Sequence, residues 1–238
     1  PNGLNTELFT AYPKERIDTV RNDLFISKKT TVLLSVGRIH RQKNILCTLR
    51  ALIEIKTLKP ELDFLFIHVG PVTDRKYFNT ILNYVYENNL QCNCLFEKET
   101  KHITDYYNAA DAVILSSSWE GLPNVLIEAM ACNKPCLVAT SADNDHIIIS
   151  GKNGFLFQND NHQDLARLID NFSRLSVETK RQIGLNARET VESRFSMQVM
   201  VSRFEELYRQ VTQNTNHTDE KIYSNILAEL AHCLSTRP

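Results

Sequence analysis

The sequence predicts an α/β protein built on a doubly wound parallel sheet, with helices gathered at its C-terminal end. Short apolar runs such as Val32-Leu-Leu-Ser-Val36 and Asp111-Ala-Val-Ile-Leu115 read as strands buried on both faces. Segments with helical apolar spacing alternate with them, which means parallel strands joined by right-handed crossovers. From Asn161 onward the pattern is helical only.

Residues 1–29 are polar and irregular up to Ile17, with a proline at position 13, and read as a connecting arm. Thr30 and Thr31 lead into the first strand, which ends at Gly37. Asn44 caps a helix running to Leu58, with Ile45, Leu49, Leu52 and Ile53 on its apolar side. Glu61 to Val69 is a second strand, closed by Gly70-Pro71. Asp74 to Asn89 is a second helix that buries Tyr77, Ile81, Tyr84 and Val85. The unit then repeats, with a strand from Cys92 to Phe96, a short helix capped by Thr100 and ending near Ala110, and the strand Asp111 to Leu115. Pro123 and Asn124 mark the start of a helix that buries Val125, Leu126, Ala129 and Met130. Pro135 to Ala139 and Gly154 to Phe157 are two further strands. Helices follow over Gln163 to Phe172, Val177 to Ser193 and Met197 to Val211, the last opened by Ser196. A polar break at Thr212 to Thr218 precedes an amphipathic helix from Glu220 to Leu234. The expected domain organisation is an arm over 1–29, a ligand-binding domain over 30–195 and C-terminal helices over 196–238.

The 238 residues are 42% hydrophobic, ample for a buried core. With 27 basic and 28 acidic residues the net charge is −1, so no general attraction to nucleic acid or anionic lipid exists and any basic site is local. No apolar run approaches the ~20 residues that span a bilayer. Pro1-Asn-Gly-Leu is neither an initiator methionine nor a signal peptide, which predicts a chain that begins inside a longer protein. Of the six cysteines, Cys92 and Cys94 share one side of a strand and Cys132 and Cys136 flank the Lys134-Pro135 turn. Neither spacing is that of a common zinc site, and the thiols fit a cytoplasmic protein.

The stretch Ser116-Ser-Ser-Trp-Glu-Gly-Leu-Pro-Asn-Val-Leu-Ile-Glu128 carries the chemistry. It joins a strand to a helix through a polar loop, so the unpaired amides around Gly121 to Val125 can bind an anion. Glu128 sits about 6 Å along the helix from Asn124, and Glu120 precedes the helix. Two carboxylates bracketing an anion-attracting helix end suit a ligand that combines phosphate with hydroxyl groups, a description that fits a sugar nucleotide. With strand order 3-2-1-4-5-6, ligands bind where the order reverses, between the first and fourth strands. The loop after the first strand, Gly37-Arg-Ile-His-Arg-Gln-Lys43, then faces the Glu120 loop and supplies charge for a diphosphate. No Gly-x-Gly-x-x-Gly occurs, which argues against nicotinamide or flavin.

The blander readings are that Arg38, Arg41 and Lys43 form a solvated loop, that His40 is a surface residue, and that Glu128 is a first-turn glutamate held by the helix dipole. Position opposite the Glu120 loop favours ligand contact for Arg38 and Lys43 and a structural role for Arg41. Trp119 is expected to pack.

Glu120 to Glu128 with Gly-Leu-Pro-Asn between them, followed by Ala-Met-Ala-Cys-Asn-Lys-Pro, resembles the Glu-x7-Glu signature of retaining GT-B glycosyltransferases of the group 1 (family 4) type. Asn2 to Phe9, Gly37-Arg38 with Lys43, Asp105 to Asp111 and Gly151 to Phe157 fit the same family in order, and the resemblance covers roughly residues 1 to 211. It implies the C-terminal, donor-binding domain. Glu128 then holds ribose hydroxyls, Glu120 contacts the donor sugar, Leu122 acts through its amide, and Gly37, Gly121, Pro123 and Asn124 line the donor site. Arg38 and Lys43 offset charge on the leaving diphosphate, so neither metal nor cofactor is needed.

The implied reaction is hexosyl transfer with retention from a nucleotide diphosphate sugar, in polysaccharide or glycoconjugate synthesis. The chain alone is then an inactive fragment, lacking the N-terminal acceptor-binding domain, to which any peripheral membrane contact would belong. Family members commonly have glycines and a glutamate where this chain reads Ser141-Ala-Asp-Asn-Asp-His-Ile147, and a glycine where it has Phe96-Glu97. Three alternatives stand beside this reading: a magnesium or manganese site at Asp143-Asn-Asp145, a glycoside hydrolase using Glu120 and Glu128, and a non-catalytic nucleotide-binding or partner-binding module.

Overall fold

The computed structural model describes residues 3–143 and 145–213. Six parallel strands pair side by side, namely β1 (Thr31–Val36), β2 (Phe64–Val69), β3 (Cys94–Glu97), β4 (Ala112–Leu115), β5 (Cys136–Ala139) and β6 (Phe155–Phe157). Their order is β3-β2-β1-β4-β5-β6, as the alternation of elements predicts. β1 is central, in register with β2 from Thr31↔Phe64 to Val36↔Val69 and with β4 at Leu33↔Ala112 and Leu34↔Val113. Its middle residues Val32, Leu33 and Leu34 are buried, as are all four residues of β4 and of β5, because helices cover both faces.

The helices are α1 (Lys14–Asp23), α2 (Ile45–Leu58), α3 (Arg75–Glu87), α4 (Ile103–Ala109), α5 (Asn124–Ala131), α6 (His162–Arg174), α7 (Val177–Arg194) and α8 (Met197–Gln213). α2 packs on α3 and α6, α5 on α7, and α1 on α4. Right-handed crossovers running in opposite directions from β1 put α2 and α3 on one face of the sheet and α5 on the other. Leu49, Leu52 and Ile55 of α2 and Leu165, Ile169 and Phe172 of α6 are buried, each worth about 1.5 to 3 kcal/mol.

Several boundaries differ from the sequence expectation. Residues before Ile17 are not all irregular, since α1 starts straight after Pro13 although none of its residues is buried. Arg21 anchors it, donating from Nη2 to Asp111 Oδ2 at 2.7 Å and from Nε to the Ala109 carbonyl at 2.9 Å. The rest of the arm is pinned by Arg188, which donates to the carbonyls of Phe9 and Thr6 at 2.9 and 3.0 Å, and by the exchange of backbone bonds between Leu4 and the Phe195–Met197 turn.

The helix after β1 starts at Ile45, and Asn44 takes a left-handed conformation (φ 48°) without capping it through its side chain. That side chain donates instead to Asp160, at 3.0 Å. Thr100 does not cap α4 either, because the helix opens only at Ile103 and the Thr100 hydroxyl accepts the His102 amide in a local turn. Cys92 lies in a short 3-10 turn before β3 and is exposed, so it does not share a strand face with Cys94. Tyr84 is only half-buried. The expected helix over Glu220 to Leu234 lies outside the described residues.

Candidate functional site

The crevice at the carboxyl ends of β1 and β4 is walled by two loops whose close approach depends on glycines. Gly37 leaves β1 at φ 139°, and a Cβ there would lie 2.7 Å from Lys43 Cε, so the lysine stem lies directly over bare backbone. Gly70, at the end of β2 with φ 156°, abuts the Gly37 carbonyl so closely that any Cβ would overlap its oxygen. Both positions demand glycine for conformation and for space.

The two loops are stitched together. The Ser118 amide donates to the Gln42 carbonyl at 2.8 Å, Gln42 Nε2 donates to the Trp119 carbonyl at 2.8 Å, and the buried Ser116 hydroxyl donates to the Lys43 carbonyl at 2.9 Å. Lys43 Nζ reaches Glu120 Oε1 at 2.6 Å, and the Ser117 hydroxyl donates to the same oxygen at 2.7 Å. The lysine and glutamate side chains are only 14% and 12% exposed, so this pair is little screened by solvent. Arg38 is exposed and, among the described residues, makes no ion pair. Arg41 turns away to Asp74, with Nε 3.3 Å from its Oδ2, as expected of a structural residue. His40 Nδ1 accepts the Gln42 amide at 3.2 Å and shapes the loop.

Across the crevice α5 begins at Asn124, with Pro123 buried just before it and Gly121 exposed. A Cβ on Gly121 would meet no atom within 4 Å, so the space above its backbone is open. Among the described residues the amides of Gly121, Leu122 and Val125 make no hydrogen bond. Leu122 is half-buried against the core and Asn124 is exposed.

Glu128, one turn into α5, accepts a 2.8 Å hydrogen bond from the Tyr107 hydroxyl on Oε2. Burial pushes its carboxyl above the ordinary range, while the tyrosine bond acts in the opposite direction. Its Oε1 makes no hydrogen bond among the described residues and can accept one from a ligand hydroxyl. Tyr107 is fully buried, and burial beside Glu128 keeps its phenol protonated.

One sequence expectation fails, and one of the alternatives loses its support. Trp119 does not pack; it is 59% exposed beside Glu120, because its carbonyl rather than its ring is what the fold holds. The Asp143-Asn-Asp145 segment does not present a free carboxylate pair: Asp143 is buried and its oxygens accept the amides of Ile147 and Ile148 at 2.8 and 3.1 Å. Among the described residues no cluster of three metal-binding side chains occurs. Ser141, in the same segment, donates to the Ser117 carbonyl at 2.9 Å and so ties the segment to the Glu120 loop.

Sequence reasoning missed Tyr107, Ser117 as the second donor to Glu120, and His68. Tyr107 lies within Asp105 to Asp111, one of the stretches that fit the family, but the sequence assigns it no role. Nothing in the sequence marks His68, a lone histidine in an apolar strand.

The family model for group 1 glycosyl transferases matches residues 16–190. The chain is 28% identical over 213 residues to the lipopolysaccharide 1,2-N-acetylglucosaminetransferase of Salmonella typhimurium, covering 87% of this chain and 54% of that one. It therefore spans about half the length of that curated relative. Its fold is similar to that of Anabaena Alr3699/HepE in complex with UDP and glucose (TM-score 0.79, 23% identity, 87% of this chain and 55% of that one). It is likewise similar to the C-terminal domain of the group 1 glycosyl transferase LpcC from Francisella tularensis (TM-score 0.72, 21% identity), covering 82% of this chain and 100% of that one.

Proposed function

The chain belongs to the group 1 glycosyl transferases, and we propose that it is the C-terminal, donor-binding half of a retaining GT-B enzyme that uses a nucleotide diphosphate sugar. One observation carries the reading: where the strand order reverses, a poorly solvated ammonium, Lys43, is paired with Glu120, and the amides of Gly121 and Leu122 that follow Glu120 make no hydrogen bond among the described residues. Such a crevice offers a diphosphate a cation on one side and helix-end dipoles on the other.

Lys43 would exchange part of its bond to Glu120 for a phosphate oxygen, leaving Glu120, still held by Ser117, to accept a hydroxyl of the donor sugar. Exposed Arg38 adds a second charge where negative charge grows on the leaving diphosphate, so the departure proceeds without a metal. Glu128 Oε1 holds ribose, with Tyr107 fixing the carboxylate from behind. Uridine is the first base to try, because the similar Anabaena protein was captured with UDP. The acceptor falls to a second domain, in keeping with the roughly half-length match to relatives, and the name of the Salmonella relative favours a glycoconjugate product.

The test compares this chain with the full-length protein on a panel of UDP-sugars and acceptors, read by mass spectrometry. Donor binding by both and transfer by the full-length protein alone is expected. Robust product from this chain alone would refute the two-domain site. Donor binding with no turnover by the full-length protein would favour a non-catalytic nucleotide-binding module.

A further inference from the structure

His68, the penultimate residue of β2, is completely buried in an otherwise apolar strand. Its Nε2 lies 2.9 Å from the Gly37 carbonyl oxygen. A carbonyl only accepts, so Nε2 carries the proton and Nδ1 is a bare lone pair. That lone pair is buried and has no partner among the described residues. An apolar side chain of the same size would avoid this penalty, so stability alone does not account for a histidine here.

The carbonyl it holds belongs to the peptide that starts the basic loop. Gly37 N donates to the Val69 carbonyl at 2.9 Å, so both its N–H and its C=O point to β2. Gly70 leaves room for the same carbonyl oxygen at the end of β2, where a Cβ would overlap it. The peptide is trans and planar, so the Arg38 N–H points the opposite way, toward β4 and the Glu120 loop. That N–H makes no hydrogen bond among the described residues.

We propose that His68 is a positioning residue for the donor's diphosphate: through the Gly37 carbonyl it locks the Gly37–Arg38 peptide so that the Arg38 amide and side-chain stem face the crevice. Without the bond, the flanking backbone bonds of Gly37 and Ile39 remain, but nothing donates to the Gly37 carbonyl, and the wide conformational range of glycine lets the Gly37–Arg38 peptide tilt away from the crevice. The phosphate then loses one amide and a pre-oriented arginine while the nucleoside contacts stay intact. This rests on the diphosphate reading of the crevice.

The test measures UDP and uridine binding by calorimetry for the wild-type chain, His68→Gln and His68→Asn, with the Arg38 amide followed by NMR. Gln places a donor nitrogen near the Nε2 position; Asn is polar but cannot reach the Gly37 carbonyl. For Asn, UDP affinity should fall about tenfold, as expected for a charge-assisted contact, with uridine unchanged and the UDP-induced shift of the Arg38 amide lost. Gln should bind UDP within about threefold of wild type and keep that shift, as expected if one donor is what matters. Wild-type UDP affinity in Asn would overturn the proposal, as would equal losses in Gln and Asn, or parallel loss of uridine. If the wild-type chain binds neither UDP, GDP nor ADP, the donor-site reading itself fails. Binding by wild type with intact binding by Asn sinks only the role of His68.

Discussion

Acidification should destabilise this chain through His68, and a His68→Gln variant should be spared. Burial is the main cause that holds the imidazole down to about 4, with the Lys43 charge adding to it, while the bond to the Gly37 carbonyl acts in the opposite direction. In the unfolded chain the same ring titrates near 6.5. Between these values the unfolded state binds a proton that the native state refuses, so stability is intact above about pH 6.5 and declines as pH falls toward 4. At about 1.4 kcal/mol per pH unit the full loss is about 3 kcal/mol, of which about 2 kcal/mol is incurred between pH 7 and pH 5. For a chain of this size that corresponds to a drop in Tm of about 4 to 8 °C. The assay is urea denaturation of wild type and His68→Gln at pH 7, 6 and 5. Every other titrating group is common to both proteins, so the difference in slope isolates His68. Parallel pH profiles for the two proteins would refute a buried neutral imidazole.

Lys43→Ala and Arg38→Ala should each weaken UDP binding about tenfold to a hundredfold, at about 1.5 to 3 kcal/mol per charged contact, and leave uridine binding unchanged; equal losses for both ligands would mean that these residues support the fold instead. Lys43→Ala should also strip Glu120 of its 2.6 Å partner, so the double variant Lys43→Ala, Glu120→Gln should be more stable than Lys43→Ala alone by urea denaturation. UDP affinity should be unaffected by excess chelator, and a strict requirement for magnesium or manganese would overturn the metal-free site. Gly70→Ala should cost about 3 kcal/mol, because the new Cβ overlaps the Gly37 carbonyl and the φ of 156° is unfavourable for alanine; a change below about 0.5 kcal/mol would contradict the close approach on which the loop geometry rests.

The local pattern is enough for the sheet and for the end of the sheet where the crevice lies. Apolar runs buried on both sides and alternating with helical spacing leave few topologies once crossovers must be right-handed, and the reversal of strand order then puts the Gly37–Lys43 loop opposite the Glu120 loop. Helix ends were less legible. Asn44 and Thr100 are good capping types by composition, yet tertiary contacts redirect the first toward Asp160 and a local turn uses the second. The sequence does not show α1 because it buries no apolar side chain and is held by long-range polar contacts, Arg21 to Asp111 and the Ala109 carbonyl and Arg16 to Asp105.

What the sequence by itself determined is the set of residues available at the crevice: the basic loop, the two glutamates eight residues apart and the helix start between them, all encoded by spacing within one element or one loop. What only the tertiary structure decided is how those groups are paired. Lys43 meets Glu120 across 77 residues of chain, Tyr107 comes up behind Glu128 from another helix, Asp143 turns its carboxylate onto neighbouring amides instead of outward, and His68 reaches the Gly37 carbonyl from the adjacent strand. Periodicity records which face a side chain occupies, whereas a hydrogen bond depends on distances of a few tenths of an ångström between elements that no local pattern relates.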